Sequence, residues 1–107
     1  MKARILVVDD EAGMLRSVER VLQADHEVLA CASSTEAARL SVEFRPHLAL
    51  VDIRMPEMDG FELMNALKRQ DEDVQVILMT GSIYDVDDQL IRALREKAFY
   101  YLNKPLW

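Results

Sequence analysis

The chain has 107 residues, 50% of them apolar and 30% charged, with 13 Lys and Arg against 19 Asp and Glu and a formal net charge of −6. That length holds one domain with one core, the apolar share excludes a disordered tail, and the acidic excess argues against binding nucleic acid or an anionic membrane by this domain alone. No apolar run approaches the ~18 residues of a membrane span, the run after Lys2 and Arg4 is too short for a secretory leader, and the single Cys31 excludes an internal disulfide and a multi-cysteine zinc site, so a reduced, cytoplasmic setting is expected.

Taken in order, the chain alternates short β-like runs with helix-like stretches. Arg4-Ile5-Leu6-Val7-Val8 is a compact, β-branched run that stops at Asp9-Asp10. From residue 12 to about 24, Met14, Leu15, Val18, Val21 and Leu22 recur at helical spacing. His26-Glu27-Val28-Leu29-Ala30 reads as a second strand. Ser33 with Glu36 fits a capping box opening a second helix, with Ala37, Leu40 and Phe44 on its apolar face and Pro46 as its stop. His47-Leu48-Ala49-Leu50-Val51 is a third strand, almost wholly apolar, as a strand covered on both faces should be. Asp59 and Glu62 would cap a third helix carrying Phe61, Met64 and Leu67. Val74-Gln75-Val76-Ile77-Leu78-Met79 is a fourth strand ending at Thr80-Gly81. Ile83, Val86, Leu90 and Leu94 predict a fourth helix at about 84–96, and Ala98-Phe99-Tyr100-Tyr101-Leu102 a fifth strand. Strand–helix alternation with apolar strands implies an α/β fold, a parallel sheet with helices on both faces.

In such sheets, sites form beyond the carboxyl ends of the strands. The first strand ends in Asp9-Asp10, the third in Asp52, the fourth in Thr80 and the fifth in Asn103-Lys104-Pro105. Three carboxylates, one hydroxyl and one ammonium thus share one rim. Carboxylates crowded to ~4 Å repel by about 4 kcal/mol per pair at an effective dielectric of ~20. Lys104 offsets part of this, and a hard divalent cation offsets more. Mg²⁺, with Mn²⁺ as a substitute, suits oxygen ligands and phosphate, and the twelve-residue calcium loop is absent. Asp52, presented singly at the end of a buried strand, has the placement of a nucleophile toward phosphorus. Metal, Lys104 and Thr80 around it would stabilise a transferring phosphoryl group.

Each motif alone has a plainer reading: Asp9-Asp10 as a helix cap, Asp52 as a turn residue, Thr80-Gly81 and Lys104-Pro105 as loop punctuation. Joint placement at four strand ends outweighs those readings. Met58-Asp59-Gly60 is read as turn and cap, Cys31, His26 and His47 as structural, and the six Met residues as core filler.

Four segments carry a resemblance that covers essentially the whole chain: Val7-Val8-Asp9-Asp10-Glu11, the run from Val51 to Gly60 that begins Val51-Asp52-Ile53-Arg54-Met55-Pro56, then Met79-Thr80-Gly81, and Tyr101-Leu102-Asn103-Lys104-Pro105. Together they resemble a response-regulator receiver domain of bacterial two-component signalling. The resemblance implies a doubly wound five-stranded, flavodoxin-like fold and a phosphorylation-activated switch that is no ordinary enzyme but assists its own phosphorylation and dephosphorylation. By the same resemblance Asp52 takes the phosphoryl group from a sensor histidine kinase or a histidine phosphotransfer protein. Asp9, Asp10, Asp52 and the backbone carbonyl of Arg54 would hold Mg²⁺, and Lys104 would pair with a phosphoryl oxygen. Thr80 and Tyr101 would be the switch residues, repositioning the fourth helix and fifth strand toward an output domain or effector. Arg54 and Ser82 would flank the hydrolytic water.

Two features depart from that pattern. Receivers normally end with a fifth helix, whereas this sequence stops at Leu106-Trp107. Residues 1–107 are therefore expected to be the N-terminal part of a longer regulator, weakly stable or self-associated through the face the absent helix leaves. Lys97 stands where the family often has Gly. Among other functions, an aspartyl phosphohydrolase is disfavoured because Arg54 holds the place of its second Asp. A nucleotide fold lacks its glycine array. A module that never takes phosphate would not need the intact acidic set.

Overall fold

A computed structural model describes residues 2–80 and 100–103, with Thr80 and 100–103 described by backbone alone. β1 (Arg4–Val8), β2 (Glu27–Cys31), β3 (Leu48–Asp52), β4 (Gln75–Thr80) and β5 (Tyr100–Asn103) pair in parallel in the order β2-β1-β3-β4-β5. Three helices intervene, α1 (Ala12–Leu22), α2 (Ser34–Phe44) and α3 (Gly60–Gln70). The α/β class and the parallel sheet read from the sequence are observed. The expected fourth helix, Ser82, Lys97, Lys104 and whatever follows the fifth strand lie outside the described residues.

Side chains alternate across a strand, and here both faces are covered. Ile5 and Val7 of β1 pack with Leu50 and Met79 beneath Met14, Leu15, Val18 and Leu22 of α1. Leu6 and Val8 point the other way, into a core with Ala49, Val51, Val76 and Leu78 under Ala37 of α2 and Leu63, Met64 and Leu67 of α3. Fully burying one Val or Leu stabilises by about 1.5–3 kcal/mol, so continuous apolar strands are what a doubly covered sheet selects.

Local chemistry sets the helix ends. Asp59 and Glu62 form a complete capping box on α3, each side chain accepting the other's backbone N–H, at 2.9 and 3.2 Å. On α2 the Ser33 hydroxyl accepts from the Glu36 N–H at 3.3 Å, while the Glu36 carboxylate turns to Arg39 instead. α1 stops at Leu22, two residues short of the sequence reading. α2 stops at Phe44, ahead of the predicted stop at Pro46. Pro46 disfavours a right-handed helical Arg45, and Arg45 instead takes φ 51°, ψ 66° in the left-handed region, which costs a non-glycine residue about 1–2 kcal/mol. Arg4 Nε donates to the carbonyls of Phe44 and Arg45, both at 2.9 Å, satisfying two acceptors at that helix end. His26 and His47 are structural, as read: their Nδ1 atoms accept the backbone N–H groups of Ala3 and Arg4 at 3.1 and 2.9 Å.

Candidate metal centre

The chain leaves β1 to one side for β2 and to the other for β3, so the sheet has its switch point between β1 and β3. Register aligns what lies there. Val8 is level with Val51 and with Cys31, and the Asp9 N–H still donates to the Cys31 carbonyl at 3.1 Å. Asp9 is therefore level with Asp52, the last residue of β3, which in turn faces Met79.

Asp9 and Asp10 do not cap α1. The N-cap is Glu11, with no side-chain cap bond, and Asp9 Oδ1 accepts the Glu11 N–H at 2.9 Å. This Asx-type bond turns the chain out of the strand and starts the helix one residue later, which leaves the acidic pair on the rim. One ligand oxygen from each of Asp9, Asp10 and Asp52 lies within 4.8 Å of the others. Asp9 is fully buried and Asp52 is 5% exposed, while Asp10 faces solvent. At 4.8 Å and an effective dielectric of ~20, each ionised pair repels by about 3 kcal/mol. The donor set fits a hard divalent cation: three carboxylate oxygens, no nitrogen or sulfur, and an open side at Asp10. Cys31, at the end of β2, lies outside this group of ligand atoms, and burial first and the Glu36 charge second push its thiol pKa above the ordinary value.

The segment after Asp52 is held rigidly. Asp52 Oδ1 accepts the Arg54 N–H at 3.3 Å, and Ile53 N–H donates to the Met79 carbonyl at 3.0 Å. Ile53 and Met55 are buried in the core while Arg54 is exposed. Glu57 turns at φ 70°. Ser34 Oγ, buried at the start of α2, donates to the Met58 carbonyl at 2.6 Å, and Thr35 Oγ1 donates to Glu57 at 3.1 Å. Gly60 opens α3 directly against this segment, its N–H donating to the Ile53 carbonyl at 2.9 Å. A Cβ there would lie 2.5 Å from the Asp52 carbonyl oxygen and 2.7 Å from Ile53 Cα.

The structure thus brings Asp9, Asp10 and Asp52 together. It puts the backbone of Thr80 one residue past Met79, opposite Asn103, and that of Tyr101 opposite Leu78. Lys104 lies outside the described residues. The sequence reading did not identify Ser34 as a support of the site and took Gly60 as a turn residue only; a Gly directly after the capping Asp59 was the available signal.

Comparison with known proteins agrees with this geometry. Residues 5–107 match the response regulator receiver domain family. The chain is 39% identical over 103 residues to the transcriptional regulatory protein PrrA of Mycobacterium tuberculosis, covering 95% of this chain and 43% of that protein. It is 33% identical over 106 residues to the sporulation initiation phosphotransferase F of Bacillus subtilis, covering 98% of this chain and 84% of that protein. The receiver domain structure from Clostridium thermocellum superposes with a TM-score of 0.85 at 35% identity, covering 98% of this chain and 84% of the other. The chain spans less than half the length of the PrrA proteins it matches. On fold, acidic rim and sequence alike, it belongs to the response regulator receiver domain family, the phosphorylation-regulated switches of two-component signalling.

Proposed function

We propose that this domain, as the N-terminal part of a longer cytoplasmic regulator, accepts a phosphoryl group on Asp52 in a Mg²⁺-dependent reaction. The donor is a phosphohistidine of a sensor kinase or histidine phosphotransfer protein. The observation that carries this reading is the convergence of Asp9, Asp10 and Asp52 within 4.8 Å, with two of the three buried. Burial beside like charges is costly, and a cation-assisted nucleophile is the function that makes use of it.

An Asp52 carboxylate oxygen attacks phosphorus, the phosphorus–nitrogen bond breaks, and its electron pair returns to the donor imidazole, which takes up a proton. Asp9 and Asp10, with Asp52 itself and the Arg54 carbonyl, would hold Mg²⁺, with Mn²⁺ as a substitute. The ion supplies charge neutralisation at the phosphoryl oxygens. The Arg54 N–H, already on Asp52 Oδ1, orients the nucleophile. Lys104 pairs with a phosphoryl oxygen, Thr80 moves toward it, and Tyr101 follows, which shifts the fourth helix and fifth strand to alter the surface met by an output domain or effector.

The test uses acetyl phosphate with Mg²⁺, read by intact mass. A labile gain of one phosphoryl group is expected, lost with a chelator and lost in Asp52→Asn. No gain in a folded sample, or a gain that survives Asp52→Asn, would defeat the reading.

A further inference from the structure

At the opposite end of the sheet from the carboxylate cluster, the carboxyl ends of α2 and α3 and the start of β1 border an open cleft of about 530 Å³, within the size range of small-molecule sites. Its apolar lining includes buried Leu67 and exposed Val42, which is 59% accessible. Its charged lining is basic in a chain whose net charge is −6: Arg4 and Arg45 against one carboxylate, Asp71, with His47 beside them.

Three observations point to an anionic ligand. First, the cations are not neutralised. Among the described residues the ion pair within 4.0 Å joins Arg39 to Glu36, and Asp71 Oδ1 is engaged by the Asp73 N–H at 2.9 Å. Second, the donors are held in place. Arg4 Nε is fixed by two carbonyls at 2.9 Å, and its two terminal nitrogens keep the donors these carbonyls do not engage. His47 Nδ1 accepts the Arg4 N–H at 2.9 Å, which places its own ring proton on Nε2. Third, Arg45 carries its guanidinium from a left-handed position, φ 51°, where glycine is the usual residue. Pro46 and the helix end set that backbone, and arginine there puts a cation beside the cleft.

We propose that this cleft binds a small amphipathic carboxylate, its carboxylate held by Arg4 and Arg45 and its hydrocarbon body lying on Leu67 and Val42. Guanidinium forks match carboxylates in geometry as well as charge.

The test is calorimetric titration of the full chain with hexanoate, with hexan-1-ol and inorganic phosphate as separate arms. Saturable hexanoate binding is expected, with both controls at least about tenfold weaker. Arg45→Gly, at a backbone position glycine adopts freely, should weaken hexanoate about tenfold with the circular dichroism spectrum unchanged. Arg45→Lys should retain most of the affinity. Val42→Asp, at an exposed site, should also weaken binding. Amide shifts should map to residues 41–47 and 67–74. Absence of saturable binding, equal binding of hexan-1-ol or phosphate, full affinity in both Arg45→Gly and Val42→Asp, or shifts centred on residues 9, 10 and 52 would each overturn the proposal.

Discussion

Replacing Gly60 with alanine tests how tightly the start of α3 is fitted to Asp52, the proposed phosphoacceptor. The added methyl would lie 2.5 Å from the Asp52 carbonyl oxygen, 2.7 Å from Ile53 Cα and 3.0 Å from the Asp52 carbonyl carbon. Ordinary contact needs roughly 1 Å more, and all three atoms belong to the backbone, so no side chain can rotate aside. Overpacking of this kind costs about 1–3 kcal/mol, and alanine's helical preference over glycine returns at most about 1 kcal/mol. A net loss of about 1–2 kcal/mol should appear in urea unfolding, and each kcal/mol should lower Tm by about 4–8 °C in a domain of this size. Because the displaced atoms are those of Asp52 itself, phosphorylation by acetyl phosphate should slow as well, by as much as ~100-fold if the carboxylate moves by about 1 Å. Gly13→Ala is the control. Gly13 lies in α1 with nothing within 4 Å of its would-be Cβ, so alanine there should stabilise by about 0.5–1 kcal/mol and leave phosphorylation unchanged. A Gly60→Ala protein as stable as the parent and phosphorylated at the same rate would refute the reasoning.

Asp9→Asn should weaken Mg²⁺ binding at least about tenfold and, without metal, raise stability by up to about 3 kcal/mol through relief of repulsion with Asp52; titration followed by chelated and Mg²⁺-loaded melts checks both. Ser34→Ala should cost about 1–2 kcal/mol in urea unfolding, because it removes the donor to the Met58 carbonyl from a buried site. Arg4→Met should cost about 0.5–1 kcal/mol by removing the donor to the Phe44 and Arg45 carbonyls, which water partly replaces. The Cys31 thiol is raised above its ordinary value of 9.0 by burial, so the unfolded thiol ionises first and stability should fall as pH rises through that range. Cys31→Ala should flatten that slope, measured by unfolding at several pH values.

Much of the fold was readable because burial on both faces leaves a signature in single strands. Ile5, Leu6, Val7 and Val8 are all buried, and no polar residue interrupts them. The Asp59–Glu62 box was readable because capping is a local exchange of hydrogen bonds. Features that depend on distant neighbours were not. The turn at Arg45, the bond from Ser34 to a segment 24 residues away, and the absent Cβ at Gly60 follow from how α2 and α3 lie on the sheet. The acidic rim was an intermediate case. Asp9-Asp10 reads locally as a helix cap, and only the parallel alternation of strands implies that Asp9 and Asp52 end at the same level, which the register bears out. The roles of Thr80, Tyr101 and Lys104 rest on family resemblance.

The depth at which Asp52 sits has a consequence for the company this domain keeps. With only 5% of the residue reachable by solvent, a flat protein surface laid over the rim would stop short of the carboxylate. On the function proposed above, a donor to Asp52 would have to offer its phosphorus on a projecting group, or be as small as acetyl phosphate.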